Sequence, residues 1–166
     1  IRKYVLKRLS SFLSGSTKDE HFDVFSGGGG NGKSKIMELL EKAAGEYCCK
    51  LPISLLTAKR AASNAATPEL AQTKGKRIAS LQEPDSDTTL NVGLMKELTG
   101  GDTIQARALF KEPFEFKPQF KLILCCNDKP KLPQNDEGTW RRVRNTEFIS
   151  AYRHEPEEDR VLQFKI

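Results

Sequence analysis

The sequence predicts an α/β protein with a central, mostly parallel sheet flanked by helices. Segments with the two-residue alternation of strands are separated by segments with helical periodicity. A short strand at residues 22–26 also runs through a glycine tract directly into a helix. The 166 residues correspond to about one domain, and a hydrophobic content of 37% is enough to build a core.

The elements of the first half follow from local patterns. Residues 1–13 predict a helix with an apolar stripe at Ile1, Val5, Leu9 and Phe12. Its basic residues are placed on the other sides, namely Arg2, Lys3, Lys7 and Arg8. After the glycine tract, a second helix is expected from residue 33 to about 47. We expect its inner face to consist of Ile36, Leu39, Leu40 and Ala43.

The second half predicts more strands and two helices. Residues 51–56 and 77–82 are expected to form strands, and the Thr-Pro-Glu sequence at 67–69 is typical of a helix start. A helix at about 90–98 should end at Gly100 and Gly101. Strands are then expected at 103–110, 114–116 and 120–126, with the first two joined as a β-hairpin through 111–113.

Composition limits the class of protein. There are 27 Lys and Arg against 22 Asp and Glu, a net charge of +5 that suits a polyanionic partner without requiring one. No apolar run approaches the roughly 18 residues of a membrane span, and no signal peptide opens the chain, so we expect no membrane partner. The four cysteines form two adjacent pairs that fit neither a disulfide framework nor a zinc site, which favours reduced thiols in an intracellular protein.

Residues 27–34 match the phosphate-binding pattern G-x-x-x-x-G-K-[ST] between a predicted strand and a predicted helix. The match consists of Gly27, Gly28, Gly29, Gly30, Asn31, Gly32, Lys33 and Ser34. Backbone N–H groups of such a loop point at phosphate oxygens, the lysine adds positive charge, and the serine hydroxyl can bind Mg²⁺. A GTPase is disfavoured because Asn127 is followed by Asp-Lys-Pro rather than by the guanine-reading Lys-x-Asp. A nucleotide or small-molecule kinase stays open as an alternative.

Four further segments follow the loop in order, at residues 82–84 (QEP), 96–102 (KELTGGD), 121–127 (KLILCCN) and 138–142 (GTWRR). Together with the loop, this series resembles the superfamily 3 helicases, and in particular the helicase part of the primase-helicases of poxviruses, other large DNA viruses and some phages. The resemblance extends from about residue 5 to residue 150. It implies a P-loop NTPase of the AAA+ type with a β-hairpin insertion.

The resemblance also implies a function. ATP hydrolysis with Mg²⁺ would drive translocation along DNA, expected to be single-stranded, by a ring oligomer that is usually hexameric. We expect residues 1–20 to be an N-terminal helical segment, 21–150 the ATPase core and 151–166 the start of a truncated C-terminal segment. A primase domain is expected on the same longer chain, and the setting would be the cytoplasm or a viral replication site of an infected cell.

Individual roles follow from the same resemblance. Glu83 would activate the attacking water and help to hold Mg²⁺ with Ser34, although Gln82 stands where many related ATPases carry a first acid. Asn127 would sense the γ-phosphate. Arg141 or Arg142 would reach the ATP of the neighbouring subunit, with Arg144 as a competitor. The candidates for nucleic-acid contact on the hairpin are Arg107, Lys111 and Lys117. Because of Gln82, a nucleotide-binding DNA assembly module without turnover is a further alternative.

Overall fold

The computed structural model describes residues 2–58, 65–82, 89–133 and 135–150. The helices are α1 (Arg2–Ser11), α2 (Lys33–Ala44), α3 (Ser54–Thr57), α4 (Pro68–Ala71), α5 (Val92–Gly100) and α6 (Glu137–Trp140). The strands are β1 (Phe22–Ser26), β2 (Cys48–Leu51), β3 (Ile78–Gln82), β4 (Ile104–Ala106), β5 (Phe114–Phe116), β6 (Lys121–Cys126) and β7 (Val143–Glu147). Within these residues, no helix is long and apolar enough to cross a membrane.

Five strands form one sheet in the order β2-β3-β6-β1-β7, and every neighbouring pair in it is parallel. The remaining two, β4 and β5, pair antiparallel as a separate hairpin. Both the mostly parallel sheet and the hairpin insertion predicted from the sequence are therefore confirmed. Because the strands are parallel, their carboxyl ends share one edge, where α/β proteins build their sites. That edge carries the loop after β1 and the residues that follow β3 and β6.

The sheet is covered on both faces. On β6, Leu122 and Leu124 belong to one buried cluster with Met95 and Leu98 of α5. Ile123, which points to the opposite face, belongs to a second cluster. The apolar members of that cluster from outside the sheet are Phe12, Met37 and Leu40. The central strands thus read as continuous apolar runs because helices cover both sides of them.

Helix α2 is rotated relative to the predicted inner face. Lys33, Met37 and Leu40 are its buried residues, whereas Leu39 is 49% exposed and Ala43 is exposed. Positions 37 and 40 lie four and seven residues after Lys33, on the same side of a helix. Burial of Lys33 at the loop therefore sets the rotation of the helix, and the expectation for Leu39 and Ala43 was wrong.

The strand predicted at 51–56 was also wrong. Strand β2 ends at Leu51, and residues 54–57 form the short helix α3. Pro52 has no N–H to donate to a strand ladder, and its carbonyl oxygen instead accepts from the Leu55 N–H at 3.1 Å. The first strand of the hairpin is also shorter than predicted, since β4 ends at Ala106 rather than at residue 110.

Arg8 was predicted on an exposed basic side of α1 and is instead buried, with 8% of its surface accessible. Its guanidinium donates to both carboxylate oxygens of Asp23, at 3.0 and 2.5 Å, and to Asp19 at 2.7 Å. Asp23 lies in β1, every residue of which is buried. A carboxylate at that position needs a charged partner, and Arg8 provides it. Desolvation nevertheless raises the pKa of Asp23.

Candidate functional site

The phosphate loop occupies residues 27–32 between β1 and α2, and three of its glycines, Gly27, Gly30 and Gly32, have the positive φ that favours glycine, with Gly30 at 70°. Gly27 has a φ of 140°, and a Cβ there would lie 2.5 Å from the Phe148 carbonyl oxygen. Gly32 precedes α2 in a left-handed conformation with φ 86°. By contrast, a Cβ on Gly28 or Gly29 would meet nothing within 4 Å. The middle of the loop therefore presents bare backbone to open space.

Lys33 is the buried cation of this loop, with 6% of its surface accessible. Its Nζ donates to the carbonyl oxygens of Gly27 and Gly28, to Asn31 Oδ1 at 3.1 Å and to Asn127 Oδ1 at 3.3 Å. All four partners are carbonyl or amide oxygens, which carry no full charge. Since burial of an unbalanced charge is unfavourable, the site is electrostatically complementary to an anion.

Asn31 fixes the loop to the rest of the sheet. It is 7% exposed, its Nδ2 donates to the Phe148 carbonyl at 3.2 Å, and its Oδ1 accepts from the Lys33 N–H at 3.4 Å. The Phe148 N–H in turn donates to the Ser26 carbonyl at 2.8 Å. Ser34 is exposed in the first turn of α2. Within the motif, the Asn31 side chain thus helps to shape the loop, as the Lys33 side chain does through the Gly27 and Gly28 carbonyls.

Asn127 follows β6 at the same edge. Cys126 pairs with Ser26 in the parallel register, so Asn127 and Gly27 leave neighbouring strands side by side. The structure therefore brings Asn127 together with Lys33, as its 3.3 Å contact shows. Gln82, at the end of β3, pairs with Cys125 and is exposed at this edge. Glu83 lies outside the described residues.

The candidate arginines lie at the other end of the sheet. Val143 at the start of β7 pairs with Phe22, and Glu147 pairs with Ser26 beside the loop. At about 3.3 Å per residue, the arginines before β7 are separated from the loop edge by roughly 13 Å or more along the strand. Arg141 and Arg142 are not brought together with Lys33 of the same chain.

The three arginines differ in their surroundings. The Arg141 side chain is 64% exposed and donates to Glu20 Oε2 at 2.8 Å. That of Arg142 is only 10% exposed, and its Nη1 donates to the Gly138 carbonyl at 2.8 Å. Its Nη2 forms an ion pair with the same Glu20 oxygen at 2.8 Å. Arg144 is half-buried in β7, with its Nη1 on the Val143 carbonyl at 3.0 Å. Arg141 is thus the member of this group with the most accessible guanidinium.

Lys96, in the 96–102 segment, contacts a residue that lies just before the 138–142 segment. Lys96 of α5 donates to both carboxylate oxygens of Asp136, at 2.7 and 2.6 Å, and Asp136 caps α6 by accepting from the Thr139 N–H and hydroxyl. The hydrogen bond from Lys96 is the main cause of a lowered pKa of Asp136. This contact joins the 96–102 segment to the capping residue of α6, the helix that directly precedes Arg141 and Arg142.

The β4–β5 hairpin presents its candidate residues at the surface. Lys111 and Lys117 are exposed, and Arg107 is half-buried. The backbone of Arg107 is fixed to Thr67, whose N–H donates to the Arg107 carbonyl at 2.8 Å and whose hydroxyl accepts from the Arg107 N–H. Beside Lys111, Phe110 is 98% exposed with a φ of 58°. The strand predicted at 103–110 includes Phe110, which instead lies at the tip of the hairpin. The signal for this position in the sequence is the Lys-Glu-Pro turn that directly follows Phe110.

The thiols are unsuited to nucleophilic chemistry. Burial raises the pKa of Cys49 and of Cys125 to about 11. The thiolate of these two cysteines is therefore a minor species near neutral pH, and we assign Cys49 and Cys125 to packing.

A parallel sheet, a glycine-rich loop that runs into a helix, and a buried lysine at the start of that helix are the features of the P-loop class of α/β proteins. The ordered segments after the loop are those in which the sequence resembles the superfamily 3 helicases. The chain belongs to the family of unknown function DUF5906, which matches residues 25–142.

Two curated relatives and one solved structure illustrate this similarity. The chain is 49% identical over 152 residues to "Putative helicase L207/L206" of Acanthamoeba polyphaga mimivirus, covering 92% of the chain and 16% of that protein. It is 27% identical over 165 residues to "Putative primase C962R" of African swine fever virus, covering 99% of the chain and 17% of the relative. The chain thus spans about a sixth of the length of these relatives. The structure of the NrS-1 C-terminal region shares the fold, with a TM-score of 0.62 at 18% identity over 88% of this chain and 34% of that one.

Proposed function

We propose that this chain is the ATPase core of a helicase-type motor, which hydrolyses ATP and couples the hydrolysis to movement along nucleic acid. The observation that carries the proposal is the buried Lys33, whose partners are neutral oxygens in a loop of open backbone. A triphosphate supplies the negative charge that this site is built to receive. The names of the viral relatives support the helicase assignment.

Each residue at the loop edge has a chemical task in this proposal. Lys33 and the N–H groups of residues 28–32 hold the β- and γ-phosphates. Ser34, in the first turn of α2, and Glu83 after β3 would hold Mg²⁺, which screens phosphate charge when bound. Glu83 also accepts a proton from the attacking water. Asn127, which already contacts the Lys33 ammonium, hydrogen-bonds the γ-phosphate or that water.

The arginine is supplied by a second subunit. Arg141 lies at the sheet end opposite its own phosphate loop, so it can complete only a site on another copy of the chain. A planar, permanently charged guanidinium suits the charge that develops in phosphoryl transfer and is worth on the order of 10³ to 10⁵ in rate. Arg142 is held at Gly138 and has a supporting role. Repetition of this contact would produce a ring, for which we propose six subunits.

The β4–β5 hairpin is our candidate for contact with single-stranded DNA. It combines the exposed cation of Lys111 with the exposed ring of Phe110, and single-strand binding sites use this pairing of positive charge and a stacking surface. Arg107 and Lys117 add charge on the same hairpin. In the complete protein, we propose that a primase domain accompanies this core.

The test is ATP hydrolysis by the complete protein that contains this chain, measured with and without single-stranded DNA. We expect DNA to stimulate the rate, and Lys33→Ala to lower it by on the order of 10²-fold or more. The matched control is Lys35→Ala, two residues further along α2, where an exposed lysine pairs with Glu38 at 3.1 Å. Equal rates for Lys33→Ala and Lys35→Ala would refute the proposal.

Two other results would select the alternatives. Transfer of the γ-phosphate to a small acceptor without dependence on DNA would indicate a kinase. Tight binding of ATP without turnover, in oligomers and with DNA present, would indicate an assembly module, the alternative that Gln82 favours.

A further inference from the structure

Glu20 lies in the turn before β1, and its carboxylate pairs with two arginines. Its Oε2 accepts a hydrogen bond from Arg141 and forms an ion pair with Arg142, each at 2.8 Å. Its backbone has a φ of 52°, a left-handed conformation that residues other than glycine rarely adopt. Its N–H donates to the Thr17 carbonyl at 2.9 Å and so closes the turn.

The preceding residue fixes this turn to the buried charge network. Asp19 accepts from Arg8 at 2.7 Å and from Lys121, and Lys121 also donates to the Ser16 carbonyl at 2.6 Å. Strained backbone persists only where its surroundings hold it, and here four contacts on two neighbouring carboxylates do so. The position of Glu20 is therefore set by the fold of the protein.

The two arginines on Glu20 have different freedom. The Arg142 guanidinium also donates to the Gly138 carbonyl, and its side chain is 10% exposed. Arg141 remains 64% exposed while Glu20 holds one of its nitrogens. A guanidinium has five N–H donors, so one contact with Glu20 is compatible with further contacts to phosphate oxygens.

We propose that Glu20 is the positioning residue for Arg141: it holds the guanidinium at the amino-terminal edge of the sheet, ready to dock on the nucleotide of a neighbouring subunit. This inference rests on the proposed function. An unrestrained arginine would lose rotamer entropy on docking, and the contact with Glu20 removes part of that loss beforehand. Glu20 thus acts on the rate of a site in another subunit, through Arg141.

The first experiment compares variants of the complete protein by steady-state ATP hydrolysis. We expect Glu20→Ala to lower kcat on the order of 10-fold, less than Arg141→Ala, with a KM for ATP within about twofold of the wild type. Glu20→Gln, which keeps one acceptor oxygen, should lose less. The control is Glu38→Ala, which also removes a carboxylate that pairs with two cations, Lys35 and Lys42, but on the exposed face of α2. A wild-type kcat for Glu20→Ala would overturn the inference.

Subunit mixing then separates positioning from loss of folding. A Lys33→Ala subunit has an intact arginine, and an Arg141→Ala subunit has an intact phosphate loop, so mixed oligomers contain complete sites that neither variant forms alone. We expect Lys33→Ala mixed with Glu20→Ala to recover activity as the mixture with Arg141→Ala does. A misfolded Glu20→Ala subunit, or one whose own phosphate loop is impaired, would not be rescued.

The outcomes distinguish this inference from the proposed function. Recovery with Arg141→Ala but not with Glu20→Ala would overturn the role of Glu20 and leave the motor intact. Wild-type activity of Arg141→Ala would overturn both the arginine in trans and the role of Glu20. Activity that survives Lys33→Ala would overturn the proposed function itself.

Discussion

The buried pair of Arg8 and Asp23 permits a quantitative prediction about the central strand. Replacement of Arg8 by Met removes two hydrogen bonds to Asp23, which is 1% exposed, and one to Asp19. The loss of one partner of a buried ion pair typically costs about 3–5 kcal/mol, because the other charge stays buried without compensation. We therefore expect Arg8→Met to destabilise the core by about 4 kcal/mol.

Amide hydrogen exchange of residues 22–26 in the complete protein measures this cost locally, without assuming that the whole molecule unfolds in one step. At about 1.4 kcal/mol per factor of ten, the protection of β1 should fall by on the order of 10² to 10³-fold. The double variant Arg8→Met with Asp23→Leu should regain most of the lost protection of β1, since an apolar pair can replace a buried ion pair at little cost in stability. A loss of protection under threefold in Arg8→Met would refute this reasoning.

Three further predictions concern the loop, the hairpin and the thiols. Gly27→Ala should abolish ATP binding, measured by equilibrium titration, because its Cβ would lie 2.5 Å from the Phe148 carbonyl, whereas the fold should tolerate Gly28→Ala, where nothing lies within 4 Å. Phe110→Ser should leave the melting temperature unchanged but weaken binding of single-stranded DNA by about 1–3 kcal/mol, measured by fluorescence anisotropy. The pKa of about 11 predicts that Cys125 is alkylated on the order of 100-fold more slowly than an ordinary thiol near pH 7.5. The rate of alkylation should rise as the pH approaches 11. Alkylation at the rate of an ordinary thiol would contradict the burial of Cys125.

The parts of the site that could be predicted from the sequence are those that depend on local spacing. The eight residues of the phosphate motif require a strand before them and a helix after them, and both are present. Asn127 could be placed at the same edge because it ends an apolar strand and parallel strands end together. Local signals also marked Pro52, which should have excluded the strand predicted through it.

The parts that could not be predicted depend on contacts between distant residues. Nothing near Arg8 in the sequence shows that it lies beside Asp23, fifteen residues away and in a different element. The accessibility of Arg141 relative to Arg142 is set by the Gly138 carbonyl and by Glu20, which is more than a hundred residues earlier. Helical periodicity alone also predicted an inner face of α2 that includes Leu39 and Ala43, and it gave no sign that Met37 is buried there together with Lys33.

The contacts of Phe148 link the phosphate loop to the chain that leaves the sheet. Its carbonyl accepts from Asn31 and leaves no room for a Cβ on Gly27, while its ring packs on Phe25 with centroids 5.5 Å apart. Any rearrangement of the loop backbone must therefore displace residue 148 as well. The first residue after β7 is therefore coupled to the loop, and a change in the backbone of residues 27–31 would be felt at the point where the chain leaves the sheet.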